Sequence, residues 1–189
     1  MVIADGASRR GWPFLLAGCL LLVGLADELA GLTGWDVWQW LVAAGLLVAV
    51  GLHRLAPTLE GRACRTVRVL AVIAGTGAGL YLGVTISYLV ADAGGRRLPT
   101  PLEGLFMVGA LSLLAGIVLA TAGIGAAMLR RGAGSRVTGG LVLLVGVSFL
   151  SPLPALLAVD LPAVIPLAGV AVLAAALGVL GTRTGHPVR

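Results

Sequence analysis

Residues 71–90 read AVIAGTGAGLYLGVTISYLV, an apolar stretch long enough to cross a membrane as one helix, since a bilayer core takes about 20 helical residues. Successive residues on a helix are about 100° apart. One face then carries small residues, at Gly75, Gly79 and Gly83. The opposite face carries hydroxyl groups, those of Tyr81, Thr85 and Tyr88. Two such distinct faces predict neighbours on both sides, and therefore a place in the middle of a helix bundle.

The composition of the whole chain predicts lipid as its main solvent. Of its 189 residues, 59% are hydrophobic and 11% are charged, and the mean hydropathy is +1.06. Soluble domains average about 45–50% apolar and about 25% charged residues, and could not hide this much apolar surface from water. The chain is therefore predicted to be an all-α polytopic membrane protein without a soluble domain.

Six apolar segments, separated by short polar connections, predict six transmembrane helices in one compact bundle. Their approximate bounds are 12–32, 37–55, 65–91, 101–129, 138–159 and 161–181. Local signals support two of the starts. Asp36 followed by Gln39 is typical of a helix cap, and Thr100, Pro101 and Glu103 form a similar start for the fourth helix.

The arginines indicate how these helices are oriented. Counted against the six spans, the side that holds both termini receives eleven of the thirteen basic residues, namely Arg9, Arg10, Arg54, Arg62, Arg65, Arg68, Arg130, Arg131, Arg136, Arg183 and Arg189. The other side receives Arg96 and Arg97. Because basic loops stay in the cytoplasm, both termini are predicted to be cytoplasmic, in a plasma or inner cell membrane. The high arginine content is then a topological signal, and no nucleic-acid partner is expected.

Five of these arginines are predicted to contact anionic lipid headgroups at the cytoplasmic surface: Arg62, Arg65, Arg68, Arg130 and Arg131. The first three are spaced every third residue, as in voltage-sensing helices. Their position at the edge of a span favours the lipid interpretation.

Small residues predict close helix packing. The fourth segment repeats them at Gly109, Gly116 and Gly123, in addition to the three glycines of the third segment. Small residues let two membrane helices approach closely.

Asp27 and Glu28 lie about one turn before the end of the first segment, and ionisable groups at such depth are costly and often functional. Three interpretations are open. The helix ends near Ala26 and both acids are in water or structural; one acid pairs with Arg96 or Arg97 across the outer loops; or one contacts a substrate or ion.

Two further groups of hydroxyl-bearing residues are candidates for lining a polar pocket. Tyr81, Thr85 and Tyr88 of helix three either bond to neighbouring helices or line a pocket. In helix five, Ser148 and Ser151 precede Pro152 and Pro154, which predicts a kink, with local unwinding at a binding site as the alternative. Together with Asp27 and Glu28, these groups form the candidate pocket between helices 1, 3 and 5.

Motifs for catalysis, metal or cofactor binding are not found. The glycines of residues 75–79 lie inside an apolar run and not between a strand and a helix, so the segment is not a phosphate loop. Leu16 to Cys19 resembles a lipoprotein box, but the apolar run continues past Cys19, which favours an uncleaved first span. Cys19 and Cys64 are predicted to lie at different depths, too far apart for a disulfide.

The sequence therefore predicts a membrane protein without a catalytic site, metal or cofactor. The favoured role is association between helices, as a subunit of a larger membrane assembly or as a homo-oligomer. The alternative is a small transporter or channel that uses the pocket between helices 1, 3 and 5.

Overall fold

The computed structural model describes residues 4–31, 37–95, 101–130, 133–150 and 164–185. Within these residues the chain is all-helical, which confirms the predicted class. It comprises α1 (Ala4–Ala30), α2 (Val37–Leu55), α3 (Gly61–Ala93), α4 (Pro101–Leu129), α5 (Ala133–Ser148) and α6 (Val164–Gly185). A short 3₁₀ turn, Ala56–Thr58, joins α2 to α3.

Five of the described helices, α1, α2, α3, α4 and α6, are long and apolar enough to cross a membrane. The apolar part of α5, Arg136–Ser148, is shorter. The longest helix, α3, has 33 residues and therefore measures about 50 Å at about 1.5 Å per residue. This length exceeds the roughly 30 Å of a bilayer core.

Several helix bounds differ from the predicted ones, among them those of α1, α3 and α5. α5 ends at Ser148 and not near residue 159, and Phe149 and Leu150 form a turn. The nearby Pro152 and Pro154 lack the N–H that a helix needs and disfavour helical geometry at the residue before them. α1 begins at Ala4, so that Pro13 lies inside the helix. α3 begins four residues early, at Gly61, whose φ of 59° suits glycine.

The six described helices form a closed ring, in which each helix packs against its neighbours in sequence and α6 packs against α1. In addition, α2 contacts α4. The innermost helix is therefore α2: 56% of its apolar stretch is buried, compared with 33% for α3. This corrects the prediction that α3 occupies the middle of the bundle, because α3 has one packed face and one exposed face.

The core is apolar and draws side chains from all parts of the ring. Phe14, Leu52, Ile117, Phe149 and Leu177 are fully buried. The ring of Phe14 reaches α2 at Gly51, where an added Cβ would lie 2.5 Å from the ring. In lipid, such shape complementarity replaces the hydrophobic effect as the main source of helix association.

Among the described helices, the closest approach of two backbones at glycine residues joins α3 to α4. A Cβ added to Gly77 would lie 2.6 Å from the carbonyl oxygen of Gly109 and 2.7 Å from the backbone nitrogen of Leu113. A Cβ added to Gly116 would lie 2.7 Å from the carbonyl oxygen of Leu70. The backbones of α3 and α4 therefore touch, and Gly77, Gly109 and Gly116 are required for that approach.

The other glycines of the predicted packing set lie elsewhere. A Cβ on Gly123 would be in ordinary contact with Val67, at 3.4 Å, and one on Gly75 with Ala49 of α2, at 3.8 Å. Gly79 and Gly83 have nothing within 4 Å of the Cβ position, and both are exposed. The structure thus divides the glycines of α3 between an inner contact and an outer face.

Candidate binding cavity and association face

The packed face of α3 continues towards its C-terminus as a row of polar side chains. Tyr81, Thr85, Tyr88 and Asp92 follow one another at intervals of four, three and four residues, and so share one side of the helix. Tyr81 is buried, and its ring lies against that of Phe106 in α4, with 3.9 Å between the ring centroids. Phe106 also lines a space between α2, α3 and α4, together with Thr85, Tyr88 and Asp92.

The space that opens there is a cavity of about 690 Å³, within the range of small-molecule sites. We refer to it as the Gln39–Asp92 cavity. Its lining residues come from α2, α3 and α4, and are Gln39, Thr85, Tyr88, Leu89, Asp92, Phe106 and Met107. The lining combines two aromatic rings and two apolar side chains with an amide, two hydroxyls and a carboxylate.

The hydrogen-bonding state of the lining limits what it can bind. The hydroxyl of Thr85 donates to the carbonyl oxygen of Tyr81, at 3.0 Å, so its proton is already used and its oxygen remains an acceptor. Oε1 of Gln39 is buried and has no hydrogen-bond partner among the described residues. The carboxylate of Asp92 is exposed at the end of α3. A buried acceptor without a donor costs about 1–3 kcal/mol, which a ligand that donates a hydrogen bond would recover.

Asp27 has a structural role instead of a place in this cavity. It is buried, and its carboxylate accepts a hydrogen bond of 3.0 Å from Nε1 of Trp40. Gly24, one turn earlier on α1, makes room for the indole, since an added Cβ there would lie 2.6 Å from Trp40. Glu28 is exposed. Asp27 therefore links α1 to α2 and is not in water, while a pair with Arg96 or Arg97 lies outside the described residues.

The candidates predicted for a pocket between helices 1, 3 and 5 have the following positions among the described residues. Thr85 and Tyr88 line the Gln39–Asp92 cavity, whereas Asp27 lies at the α1–α2 contact and Ser148 is buried on α5. Ser151 lies outside the described residues. In the Gln39–Asp92 cavity, the hydroxyls of Thr85 and Tyr88 lie beside residues of α2 and α4.

Two polar lining residues, Gln39 and Asp92, were missed by the sequence pattern, as were the apolar and aromatic residues Leu89, Phe106 and Met107. In the sequence, Gln39 is assigned a capping role, and Asp92 follows the predicted end of the third span at about residue 91. The spacing of Thr85, Tyr88 and Asp92 on one helix face was a usable signal for Asp92. For Gln39 there was none, because it comes from another helix, 46 positions away from Thr85.

The opposite side of α3 has a different pattern. Exposed residues recur there at alternating intervals of three and four, at Val69, Val72, Thr76, Gly79, Gly83, Ile86 and Val90. We call this set the heptad face, since such spacing is that of a coiled-coil seam. Gly79 and Gly83 form a notch at its centre, because nothing lies within 4 Å of either Cβ position. The neighbouring Ser87 hydroxyl is satisfied within the helix by the carbonyl of Gly83, at 2.8 Å.

The arginine-rich end of the molecule lies at the start of α3. Arg62, Arg65 and Arg68 are all exposed there, and Arg130 is exposed just after α4, while Arg131 lies outside the described residues. Near this end, a groove of about 460 Å³ between α2 and α3 is bordered by His53 and Arg54. Arg54 also stacks on the indole of Trp12, at 5.2 Å. These groups suit the phosphate of a lipid headgroup.

Neither cysteine is bonded to another residue: Cys19 is exposed on α1 and Cys64 is half-buried on α3, and both are free thiols. Across the described ranges, no group of three or more histidine, cysteine, aspartate or glutamate side chains is placed to hold a metal ion. Comparison of the chain with protein-family models, with curated proteins and with solved structures finds no match in any of the three.

Proposed function

We propose that this chain is a non-catalytic, multi-pass protein of a plasma or inner cell membrane that acts by associating with a second copy of itself through the heptad face of α3. The observation that carries the proposal is the notch at Gly79 and Gly83, centred in a row of exposed residues with coiled-coil spacing. The same face can serve a larger assembly in which the partner helix belongs to another membrane protein.

The notch is the distinctive feature, because an exposed apolar face is ordinary for a protein in lipid. Lipid chains satisfy Val69, Val72 or Ile86 as well as another helix does. A backbone without side chains, however, lets a second helix approach closely enough for extensive van der Waals contact, which is what drives association in membranes. The β-branched residues on either side of the notch are stiff, so little side-chain entropy is lost when they pack.

A twofold arrangement suits this face. In a symmetric dimer the same surface of each subunit meets itself. Gly79 would then lie opposite the Gly79 or Gly83 of the second copy, where no side chain separates the two backbones. The heptad face points away from α4 and from the Gln39–Asp92 cavity, so association does not require any change within the ring of helices.

Large side chains placed in the notch test directly whether this face mediates self-association. We expect the double substitution Gly79→Leu, Gly83→Leu to weaken self-association about ten-fold or more, since the helices lose their close approach. Association is measured by energy transfer between labelled copies in liposomes, as a function of the protein-to-lipid ratio.

The matched control is the double substitution Gly104→Leu, Gly140→Leu. These glycines of α4 and α5 are also exposed and have nothing within 4 Å of the Cβ position, but lie outside the heptad face. This control double variant should leave self-association unchanged. A wild-type protein that stays monomeric at every protein-to-lipid ratio, or equal association of the two double variants, would contradict the proposal.

The proposed topology has six crossings and both termini in the cytoplasm. It is supported by the exposed arginines at the start of α3 and after α4, because such residues remain on the cytoplasmic side. We expect a fluorescent protein that folds only in the cytoplasm to be bright when fused to either terminus. A periplasmic reporter such as alkaline phosphatase should be inactive at both positions. Activity of that reporter at one terminus would exclude an even number of crossings.

Anionic lipids are the proposed partners of the arginine-rich end. Because α3 is about 20 Å longer than a bilayer core, Arg62, Arg65 and Arg68 in its first turns can extend into the headgroup layer. Each such charge near an anionic surface contributes about 1 kcal/mol. This attraction would hold the molecule at a defined depth and orientation.

A further inference from the structure

We propose that the Gln39–Asp92 cavity is a binding site for a small organic cation, a primary ammonium group on an aromatic or branched apolar body. The inference concerns the packed side of α3 and does not depend on association through the heptad face. It follows from which hydrogen-bonding groups in the lining are still free, from the character of the remaining lining, and from its charge.

Beside the donors of the Gln39 amide nitrogen and the Tyr88 hydroxyl, the cavity offers acceptors from three groups. Gln39 contributes the buried Oε1 that lacks a partner among the described residues. Thr85 contributes a hydroxyl oxygen whose proton is already donated to Tyr81. Asp92 contributes a carboxylate, which when ionised only accepts. A ligand that fits this set must donate several hydrogen bonds, and a primary ammonium group donates three.

The rest of the lining is aromatic and apolar. Tyr88 and Phe106 are both half-buried in the cavity wall, with Leu89 and Met107 beside them. The ring of Phe106 packs against that of Tyr81, with 3.9 Å between the ring centroids. Aromatic faces attract cations, and thioethers pack well against ligand rings. An apolar body attached to the ammonium group would occupy this part.

The charge of the lining distinguishes a cation from other ligands. Among the described lining residues, Asp92 is the one that carries a charge, and none is basic. An anion would be repelled by that carboxylate. A neutral hydrocarbon, such as a lipid chain, would leave Oε1 of Gln39 without a donor at a cost of about 1–3 kcal/mol. The cation is the ligand class that satisfies both groups.

The test uses three probes with the same phenyl ring and different charge: 2-phenylethylammonium, 2-phenylethanol and 3-phenylpropionate. Binding to the full-length protein in lipid nanodiscs is measured by titration calorimetry. We expect the ammonium probe to bind about ten-fold or more tightly than the alcohol, because its hydrogen bonds are charge-assisted. The propionate should bind more weakly than either.

The matched pair of variants is Asp92→Asn and Glu60→Gln. Both residues are exposed acids, at opposite ends of α3, and Glu60 does not line the cavity. Asp92→Asn should weaken binding of the ammonium probe about ten-fold and leave the alcohol unchanged. Glu60→Gln should change neither. Equal binding of the three probes, preference for the propionate, or no binding of the ammonium probe would overturn the proposal.

A second variant, Gln39→Leu, gives a readout beyond affinity. Removing the unpartnered Oε1 should raise the thermal unfolding temperature of the empty protein while it weakens binding of the ammonium probe, since the variant relieves a buried polar group and removes one acceptor. Unchanged affinity of this variant for the ammonium probe would contradict the role of Gln39. Binding should also persist in the Gly79→Leu, Gly83→Leu protein, which separates this site from the association face.

Discussion

Substitution of Gly77 by alanine should destabilise the protein by about 2–3 kcal/mol, whereas the same substitution at Gly79, two residues away on the same helix, should leave it as stable or slightly more stable. The Cβ added at Gly77 would lie 2.6 Å from the carbonyl oxygen of Gly109 and 2.7 Å from the backbone nitrogen of Leu113. Both are backbone atoms that no rotamer change can move, so α3 and α4 must separate. Overpacking of this kind typically costs about 1–3 kcal/mol.

At Gly79 the same methyl group meets nothing within 4 Å. There, alanine should contribute about 0.5–1 kcal/mol, because it restricts the unfolded chain and suits a helix better than glycine. The free energy of unfolding is measured by titration with denaturing detergent in mixed micelles.

The α3–α4 contact also predicts how two substitutions at this contact combine in one variant. Gly77→Ala and Gly109→Ala force the same two backbones apart, so the double variant should lose less than the sum of the two single losses. Equal stability of Gly77→Ala and Gly79→Ala would show that the two helices do not touch at this point.

Substitution of Trp40 by phenylalanine should cost about 2–3 kcal/mol. The change removes the indole N–H that donates to the buried carboxylate of Asp27, at 3.0 Å, and replaces it with a ring that cannot donate. Hydrogen bonds to charged groups are worth about 1.5–3 kcal/mol, and loss of a donor leaves the acceptor desolvated. Asp27→Asn should cost less, since an amide oxygen still accepts from the indole.

Trp38→Phe is the matched control. Trp38 is a half-buried indole in the same turn of α2, packed against the core. Its replacement removes similar volume without removing the Asp27 partner. The difference in unfolding free energy between the two tryptophan variants therefore measures the hydrogen bond, and equal losses would mean that the bond contributes nothing.

Local features of the sequence were sufficient to predict the all-helical class and the bounds of several helices. Apolar length and composition predict helices in lipid, and these are properties of each segment alone. α2 and α4 have the bounds 37–55 and 101–129 that apolar runs and end signals predict. The end of α5 differs by eleven residues, because the effect of Pro152 and Pro154 on the preceding turns depends on how that helix packs.

Only the folded structure shows which face of each helix points into the bundle and which points outward. Spacing shows that Gly75, Gly79 and Gly83 share a face and that Thr85, Tyr88 and Asp92 share another. In water, polarity would then indicate which face is buried. In lipid both the inner and the outer faces are apolar, so polarity carries no such direction, and Gly77 at a backbone contact cannot be told in sequence from Gly79 at an open notch.

Contacts between side chains of different helices also could not be predicted from the spacing of residues along the sequence. The Asp27–Trp40 hydrogen bond joins α1 to α2, and the Gln39–Asp92 cavity joins α2, α3 and α4. Helices long and apolar enough to cross a membrane follow from the composition of single segments. The contacts between segments depend on how the six described helices close into a ring. That ring brings together residues from different helices, and their separation in sequence is not set by the helical repeat.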